Sequence, residues 1–130
     1  MFFNCRISSG RIYIPSILAK KLTGKLIISK SPDGCLFLCT LNRWQEISRE
    51  FNSLFRLKDP NELRIRKNRN SWRIFLAPGF REYAGLDREV VVVMIESSGY
   101  LEIWSKKRWT EEQNKPDKKT FFRETIPQSR

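Results

Sequence analysis

Two short stretches, Arg11-Ile12-Tyr13-Ile14 and Arg73-Ile74-Phe75-Leu76, decide the fold because they are copies of one pattern set 62 positions apart. In the first copy, Arg11 and Tyr13 alternate with isoleucines, which is typical of a strand with one buried face. A proline follows each stretch, at Pro15 and Pro78, and favours the start of a short helix there. A repeated strand and helix therefore organises the chain.

The remainder of each copy follows in the same order. A glycine comes first and is expected to end the short helix, and an apolar strand comes next. Turns are predicted at Ser31-Pro32-Asp33-Gly34 and at Glu96-Ser97-Ser98-Gly99, where each joins two strands as a hairpin. Leu36-Phe37-Leu38 follows the first turn, and Leu101-Glu102-Ile103 follows the second. The chain thus contains a strand-helix-strand-strand unit twice, which predicts an α+β fold.

Two helices are predicted between the copies. Asn42 and Gln45 resemble a capping box, and apolar residues at helical spacing predict a helix from about 43 to 55. Asp59-Pro60, followed by Glu62, predicts a second and shorter helix, with proline at its first position.

The end of the second copy carries an unusual helix start. Asn42-Arg43-Trp44 matches Lys107-Arg108-Trp109, and Ser105 is expected to open the second helix. Three cations in its first turn, at positions 106 to 108, oppose the helix dipole by about 0.3–1 kcal/mol each. Such cations are better tolerated opposite an anion. The polar and basic residues after Asn114 predict a flexible tail.

Composition excludes several kinds of chemistry. The 130 residues include no histidine, so Ser-His-Asp triads, Cys-His pairs and HExxH zinc sites are absent. Cys5, Cys35 and Cys39 lack the spacing of a CxxC motif and are predicted to be reduced, buried thiols. The acidic pairs Glu111 with Glu112 and Asp87 with Glu89 do not suggest acid–base catalysis. We therefore predict a protein that is not an enzyme and needs no metal or cofactor.

The length of the apolar segments bears on location. The longest apolar run, from Val90 to Ile95, is far shorter than the roughly 20 residues of a membrane helix. No signal peptide is evident at the start of the chain. The sequence therefore predicts a cytoplasmic protein with no membrane partner and no small-molecule substrate.

The positive charge points to a polyanionic partner. Lysine and arginine number 25 against 14 acidic residues, a formal charge of +11, and such an excess favours phosphate binding with counterion release. A merely soluble basic surface is the alternative. Five cations fall within ten positions, and no acid occurs from Leu63 to Arg81, although acids are normally interspersed on a solvated face. These five are the leading candidates for nucleic-acid contact: Arg64, Arg66, Lys67, Arg69 and Arg73.

Four segments together are similar to the MraZ family of bacterial transcriptional regulators. They are residues 10–15, residues 33–38 with Trp44, residues 81–91, and Leu101-Glu102-Ile103-Trp104 with Lys107-Arg108-Trp109. The resemblance implies two tandem AbrB-like modules of the swapped-hairpin type, packed as one pseudo-symmetric unit. The first would span residues 1–58 with its following helix, the second residues 59–114, and a basic flexible tail residues 115–130. It also implies a nucleoid-associated homo-oligomeric ring that binds double-stranded DNA at repeated sites upstream of a division and cell-wall gene cluster.

The same resemblance suggests which residues contact DNA. The family carries a DxxxR signature in each module, and its arginines fall on Arg11 and Arg73. The remaining clustered cations, Arg64, Arg66, Lys67 and Arg69, would then attract phosphates regardless of base sequence. Together these six residues form the predicted DNA-binding site.

The chain departs from that signature in both modules. Ile7 and Arg69 stand at the two acid positions, and Trp72 replaces the glycine before the second arginine. We therefore expect DNA binding with altered or reduced sequence selectivity. One alternative is a ring-forming protein-interaction scaffold that has lost sequence-specific DNA binding. An antitoxin is disfavoured by the basic tail, and an RNA-binding protein by the lack of a recognisable aromatic platform.

Overall fold

The computed structural model describes residues 2–22, 24–51, 58–63, 65–68 and 71–114. Within these ranges the chain is mixed α+β with antiparallel strands, which confirms the predicted class. The strands are β1 (Phe2–Ser8), β2 (Arg11–Ile14), β3 (Leu26–Lys30), β4 (Leu36–Thr40), β5 (Lys58–Leu63), β6 (Ile65–Asn68), β7 (Ser71–Phe75), β8 (Glu89–Ile95) and β9 (Tyr100–Ser105). The helices are α1 (Ser16–Ala19), α2 (Leu41–Phe51), α3 (Pro78–Ala84) and α4 (Lys106–Gln113).

One face of the sheet, which we call the inner face, forms the main hydrophobic core. The strands follow the order β5-β3-β4-β9-β8-β1-β2-β7-β6, and each neighbouring pair is antiparallel. Inner-face residues such as Ile12, Leu38, Ile74 and Val92 are fully buried. The short helices α1 and α3 pack their apolar side chains into the same cluster.

The opposite, outer face carries two smaller apolar clusters beneath α2 and α4. Phe37 of β4 packs with Ile47 of α2. Trp104 of β9 packs with Trp109 of α4, and their ring centroids are 5.9 Å apart. These contacts cover the outer face around β4, β9 and β8.

The two sequence copies interleave within the sheet. β1 pairs with β8 of the second copy, and β3 pairs with β5. Equivalent residues lie opposite each other where the copies meet: Ile12 opposite Ile74 between β2 and β7, and Phe37 opposite Glu102 between β4 and β9. In this register a local two-fold rotation relates the paired strands of the two copies. The alternating residues of β7 therefore match those of β2, with the two strands running in opposite directions.

Two equivalent arginines connect each copy to a turn of the other. The Arg43 Nε atom donates a hydrogen bond to the Ser98 carbonyl oxygen at 2.7 Å. Arg108 Nη1 donates to the carbonyl oxygens of Gly34 at 2.8 Å and Tyr83 at 2.9 Å. Backbone carbonyl oxygens thus accept hydrogen bonds from the Arg108 guanidinium. Arg108 is one of the three cations in the first turn of α4, for which the sequence suggested an anionic partner.

Helix boundaries follow the predicted signals in the second copy more closely than in the first. α3 ends at Gly85, which adopts the left-handed conformation with φ of 63°, as predicted. The α4 N-cap is Ser105, whose hydroxyl accepts a hydrogen bond from the Arg108 backbone N–H, also as predicted. α1 instead ends at Lys20 in a right-handed conformation, and Gly24, with φ of 82°, lies in the connection to β3. The glycine that was expected to cap α1 therefore acts in the following loop.

The helix predicted from about 43 to 55 begins two residues earlier than expected. α2 starts at Leu41, and the Thr40 hydroxyl accepts a hydrogen bond from the Arg43 N–H at 3.2 Å. Thr40 thus serves the capping role that the sequence suggested for Asn42. The predicted end of this helix lies outside the described residues.

The short helix predicted at Asp59-Pro60 is wrong, because this segment is strand β5. β5 stands at one end of the strand order, where a proline is tolerated although it lacks an N–H donor. The pairing with β3 shifts register between Ile28 and Lys30, beside Pro60, so the proline coincides with an irregularity in the ladder. Pairing with β3 has overridden the local helix signal.

None of the helices in the described ranges is long and apolar enough to span a membrane. The predicted tail, residues 115–130, lies outside the described residues, and its flexibility stays a prediction.

Candidate nucleic-acid interface

Arg11 and Arg73 lie on the same face of two directly paired strands. In the β2–β7 ladder, Arg11 is opposite Phe75 and Tyr13 is opposite Arg73. Ile12 and Ile74 occupy the alternate positions and are fully buried on the inner face. Since side chains alternate along a strand, all four of the former residues lie on the outer face. We call this set, Arg11, Tyr13, Arg73 and Phe75, the β2–β7 patch.

The β2–β7 patch combines guanidinium groups with exposed rings. Tyr13 is 44% exposed and Phe75 is 51% exposed. Arg11 is exposed and Arg73 is half-buried. The Arg73 guanidinium carbon lies 6.0 Å from the Tyr13 ring centroid, within the range of a cation–π interaction. The patch thus presents a surface that is both cationic and apolar.

Neither patch arginine is held by a carboxylate in the described part of the chain. Ion pairs in this part of the chain include those of Lys21 with Glu96, Arg43 with Glu46 and Lys106 with Glu89. The buried Nε atom of Arg73 has no hydrogen-bond partner among these residues. Among the described residues, Arg73 thus contacts the Tyr13 ring and forms no ion pair, and no carboxylate there pairs with Arg11 either.

The turn between β1 and β2 fixes the position of Arg11. Gly10 has φ of 74°, and a Cβ atom on it would lie only 2.8 Å from Cε2 of Phe75. Its carbonyl oxygen accepts a hydrogen bond from the Leu76 N–H at 2.8 Å. Glycine is required here both for the left-handed backbone and for the close approach of the Phe75 ring. This packing ties the turn that precedes Arg11 to β7.

Of the other four predicted contact residues, the structure describes the strand positions of two. Arg66 holds the register position opposite Arg73 in the β6–β7 ladder, and Lys67 holds the position opposite Trp72. Arg64 and Arg69 lie outside the described residues. The structure thus brings Arg11, Arg73 and the backbones of Arg66 and Lys67 into three neighbouring strands, and the DNA contacts of all six cations stay predictions.

Ile7, which stands at the first acid position of the family signature, packs on the inner side of the sheet. Ile7 lies opposite Ile12 in the β1–β2 ladder and packs in part against the main core. This position therefore faces the inner side of the sheet, whereas Arg11 is on the outer side. An isoleucine there contributes to the core and supplies no carboxylate to orient Arg11.

Sequence reasoning missed the role of Phe75 in this surface. The alternation that placed Arg11 and Tyr13 on one face applies equally to Arg73 and Phe75, because the two stretches are copies. The pairing of β2 with β7, which makes one patch of two separate stretches, has no local sequence signal.

The cysteines have the properties of core residues. Burial raises the pKa of the Cys39 thiol to about 12, while the nearby Arg43 guanidinium lowers it by less. Burial also raises the pKa of Cys5, and Cys35 is fully buried. A thiol with a raised pKa stays protonated at neutral pH and is a poor nucleophile. In the ranges that the structure covers, no group of three or more Cys, Asp or Glu is arranged to hold a metal ion.

Comparison with known proteins identifies relatives over most of the chain. A family model of MraZ proteins, described as antitoxin-like, matches residues 70–125. The transcriptional regulator MraZ of Thermomicrobium roseum is 33% identical over 110 residues, which cover 77% of this chain and 75% of that protein. The MraZ proteins of Moorella thermoacetica and Desulforamulus reducens are 34% and 32% identical over 114 residues each, covering 78% of this chain and 76% and 77% of those proteins.

Proposed function

The chain belongs to the MraZ family, and we propose that it is a transcriptional regulator that binds double-stranded DNA through the β2–β7 patch. The observation that carries this proposal is the pairing of Ile12 with Ile74, which brings Arg11 and Arg73 together on the outer face. Similar proteins are named transcriptional regulators, and DNA is the polyanion that we propose for this chain.

Charge and geometry support a duplex as the ligand. Guanidinium groups bind phosphate oxygens through charge-assisted and often bidentate hydrogen bonds. Arg11 and Arg73 have no carboxylate partner in the described part of the chain, so phosphate need not displace one. A pair of antiparallel strands also has dimensions that suit the major groove of B-DNA.

The remaining elements of the proposal follow from the family. We propose two tandem AbrB-like modules of the swapped-hairpin type, and the interleaved pairing of β1 with β8 and β5 with β3 supports them. A cytoplasmic, nucleoid-associated ring of several copies would bind repeated sites upstream of a division and cell-wall gene cluster. In this proposal Arg64, Arg66, Lys67 and Arg69 add phosphate contacts beside the patch.

A salt titration of DNA binding tests the proposal. The DNA is the region upstream of the gene that encodes this chain, with a scrambled fragment of equal length as the comparison. Arg11→Ala should weaken binding and reduce the slope of log affinity against log salt by about one unit, because one phosphate contact is lost. Arg11→Lys should restore much of the slope, since it keeps the charge.

Lys20→Ala is the matched control. Lys20 is also an exposed cation, but it follows α1, which packs on the inner face. If Arg11→Ala and Lys20→Ala change the slope equally, the β2–β7 patch is not the contact surface. If the wild-type chain binds neither fragment, the proposed function is wrong.

The scaffold hypothesis is the second candidate, because Ile7 packs toward the core where the family signature has an acid. A scaffold would assemble into the ring yet bind operator and scrambled DNA with equal affinity at every salt concentration. A preference for the upstream fragment excludes it.

A further inference from the structure

A groove of about 850 Å³ lies between β1, the loop before β8 and the start of α4. Four cations line it, Arg6, Arg88, Lys106 and Lys107, together with the acids Asp87 and Glu89. A smaller cavity of about 140 Å³ shares Arg6, Glu89 and Lys106 with it. The groove is therefore a cationic depression that extends along β1.

The groove carries a net positive charge, because its four cations outnumber its two acids. Lys106 Nζ lies 3.5 Å from a Glu89 carboxylate oxygen, and both side chains are more than half exposed. Arg6, Arg88 and Lys107 make no ion pair in the described ranges. Three cations thus make no ion pair among the described residues, although Asp87 lines the same groove and Glu89 lies opposite Arg6 in the β1–β8 ladder. Two of them, Arg6 and Lys107, stand on regular elements that hold their positions.

The groove continues directly from the β2–β7 patch. Ser8 lines the groove and lies opposite Arg11 in the β1–β2 ladder. Arg6 is two positions earlier on β1 and so shares the outer face with Ser8. Neighbouring strands are separated by about 4.8 Å, and β2 lies between β1 and β7. The axes of β1 and β7 are therefore roughly 10 Å apart.

These dimensions match those of a duplex. The major groove of B-DNA is about 12 Å wide. If β2 and β7 face that groove, one of its two phosphate backbones therefore passes over β1. Arg6 on β1 and Lys107 at the start of α4 both line the groove beside that path.

We propose that this groove binds the phosphodiester backbone of the same duplex, beside the segment that the β2–β7 patch contacts. The inference rests on the proposed function and extends it to a second contact region. It also gives a role to Lys107, a first-turn cation of α4 whose charge opposes the helix dipole and has no partner in the described part of the chain. The ligand is the DNA backbone, so these contacts add affinity without base selectivity.

Two single variants and one control test the groove. Arg6→Ala and Lys107→Ala should each reduce the salt slope of DNA affinity by about one unit, for upstream and scrambled DNA alike. Lys107→Arg should keep the slope, and Lys20→Ala should leave it unchanged. In hydroxyl-radical footprinting, Lys107→Ala should shorten the protected segment at its edge while the centre stays protected.

Different results separate the groove from the proposed function. If wild-type chain binds DNA and Arg11→Ala weakens it, but Arg6→Ala and Lys107→Ala match Lys20→Ala, the groove does not bind the backbone. If Lys107→Ala changes the mass of the assembly in solution and not the salt slope, the groove is a contact between copies of the chain, and the inference is again overturned. If the wild-type chain binds no DNA at all, the proposed function itself is wrong.

Discussion

At the residue scale, the β2–β7 patch places aromatic rings beside arginines, and the two kinds of side chain should act on DNA differently. An arginine that meets a phosphate releases counterions, so its contribution depends on salt. A ring that packs on sugar or base contributes through apolar burial, which depends far less on salt. Phe75 lies opposite Arg11 and is half exposed, so a duplex that contacts Arg11 also covers Phe75.

Phe75→Ala should therefore weaken DNA binding by about 1 kcal/mol, roughly fivefold, because a half-exposed ring has about half of its area left to bury. The salt slope should stay at the wild-type value, in contrast to Arg11→Ala. Fluorescence anisotropy at several salt concentrations measures both quantities. Ile17→Ala is the control, since Ile17 is 54% exposed on α1, which packs on the inner face of the sheet. An unchanged affinity for Phe75→Ala would remove the ring from the interface.

At the element scale, the turns of the sheet are held by arginines from the other copy. Arg108 at the start of α4 donates hydrogen bonds to Gly34 in the β3–β4 turn and to Tyr83 in α3. Gly85 has no side chain there, and a Cβ on it would lie 3.1 Å from the Arg108 guanidinium carbon. One side chain thus joins three elements.

Arg108→Ala should lower the free energy of unfolding by about 2 kcal/mol, because two carbonyl oxygens lose a charged donor. Lys107→Ala, an exposed neighbour in the same turn, should change it by less than about 0.5 kcal/mol. Urea unfolding followed by circular dichroism compares the two. Equal stabilities of the two variants would mean that the Arg108 hydrogen bonds contribute nothing net.

The elements also show which features the sequence could predict. Alternation and turn residues predicted β2, β7 and both hairpins, because these signals act over a few neighbouring residues. Asp59-Pro60 carried a local helix signal, yet β5 forms there because its partner β3 lies about 30 residues earlier in the chain. The position of Arg11 opposite Phe75 depends likewise on pairing between distant segments. The sequence could therefore predict the candidate arginines and, through the repeat, that they share a surface, whereas the strand pairing that places Arg11 and Arg73 side by side could not be predicted.

At the scale of the whole molecule, a single chain offers a narrow contact surface. The β2–β7 patch holds two arginines, and the interleaved sheet fixes them in one orientation. Even with the phosphate contacts proposed beside the patch and in the groove, one chain contacts a single short segment of duplex, so we expect strong binding to require several chains on one DNA. Joining chains in one assembly makes each further contact intramolecular and raises overall affinity by about 10²–10⁴-fold when the geometry fits.

The assembly that we propose should therefore distinguish DNA by the spacing of the proposed upstream repeats. We expect a fragment with two upstream repeats to bind at least tenfold more tightly than one whose second repeat is scrambled. Inserting about 5 base pairs turns the second repeat to the opposite side of the helix and should abolish this gain, whereas inserting about 10 base pairs should restore part of it. Gel-shift titrations at constant salt measure the four affinities, and light scattering gives the mass of the free assembly. Equal affinities for all four fragments would mean that each chain binds independently, because avidity depends on whether two sites can be reached at once.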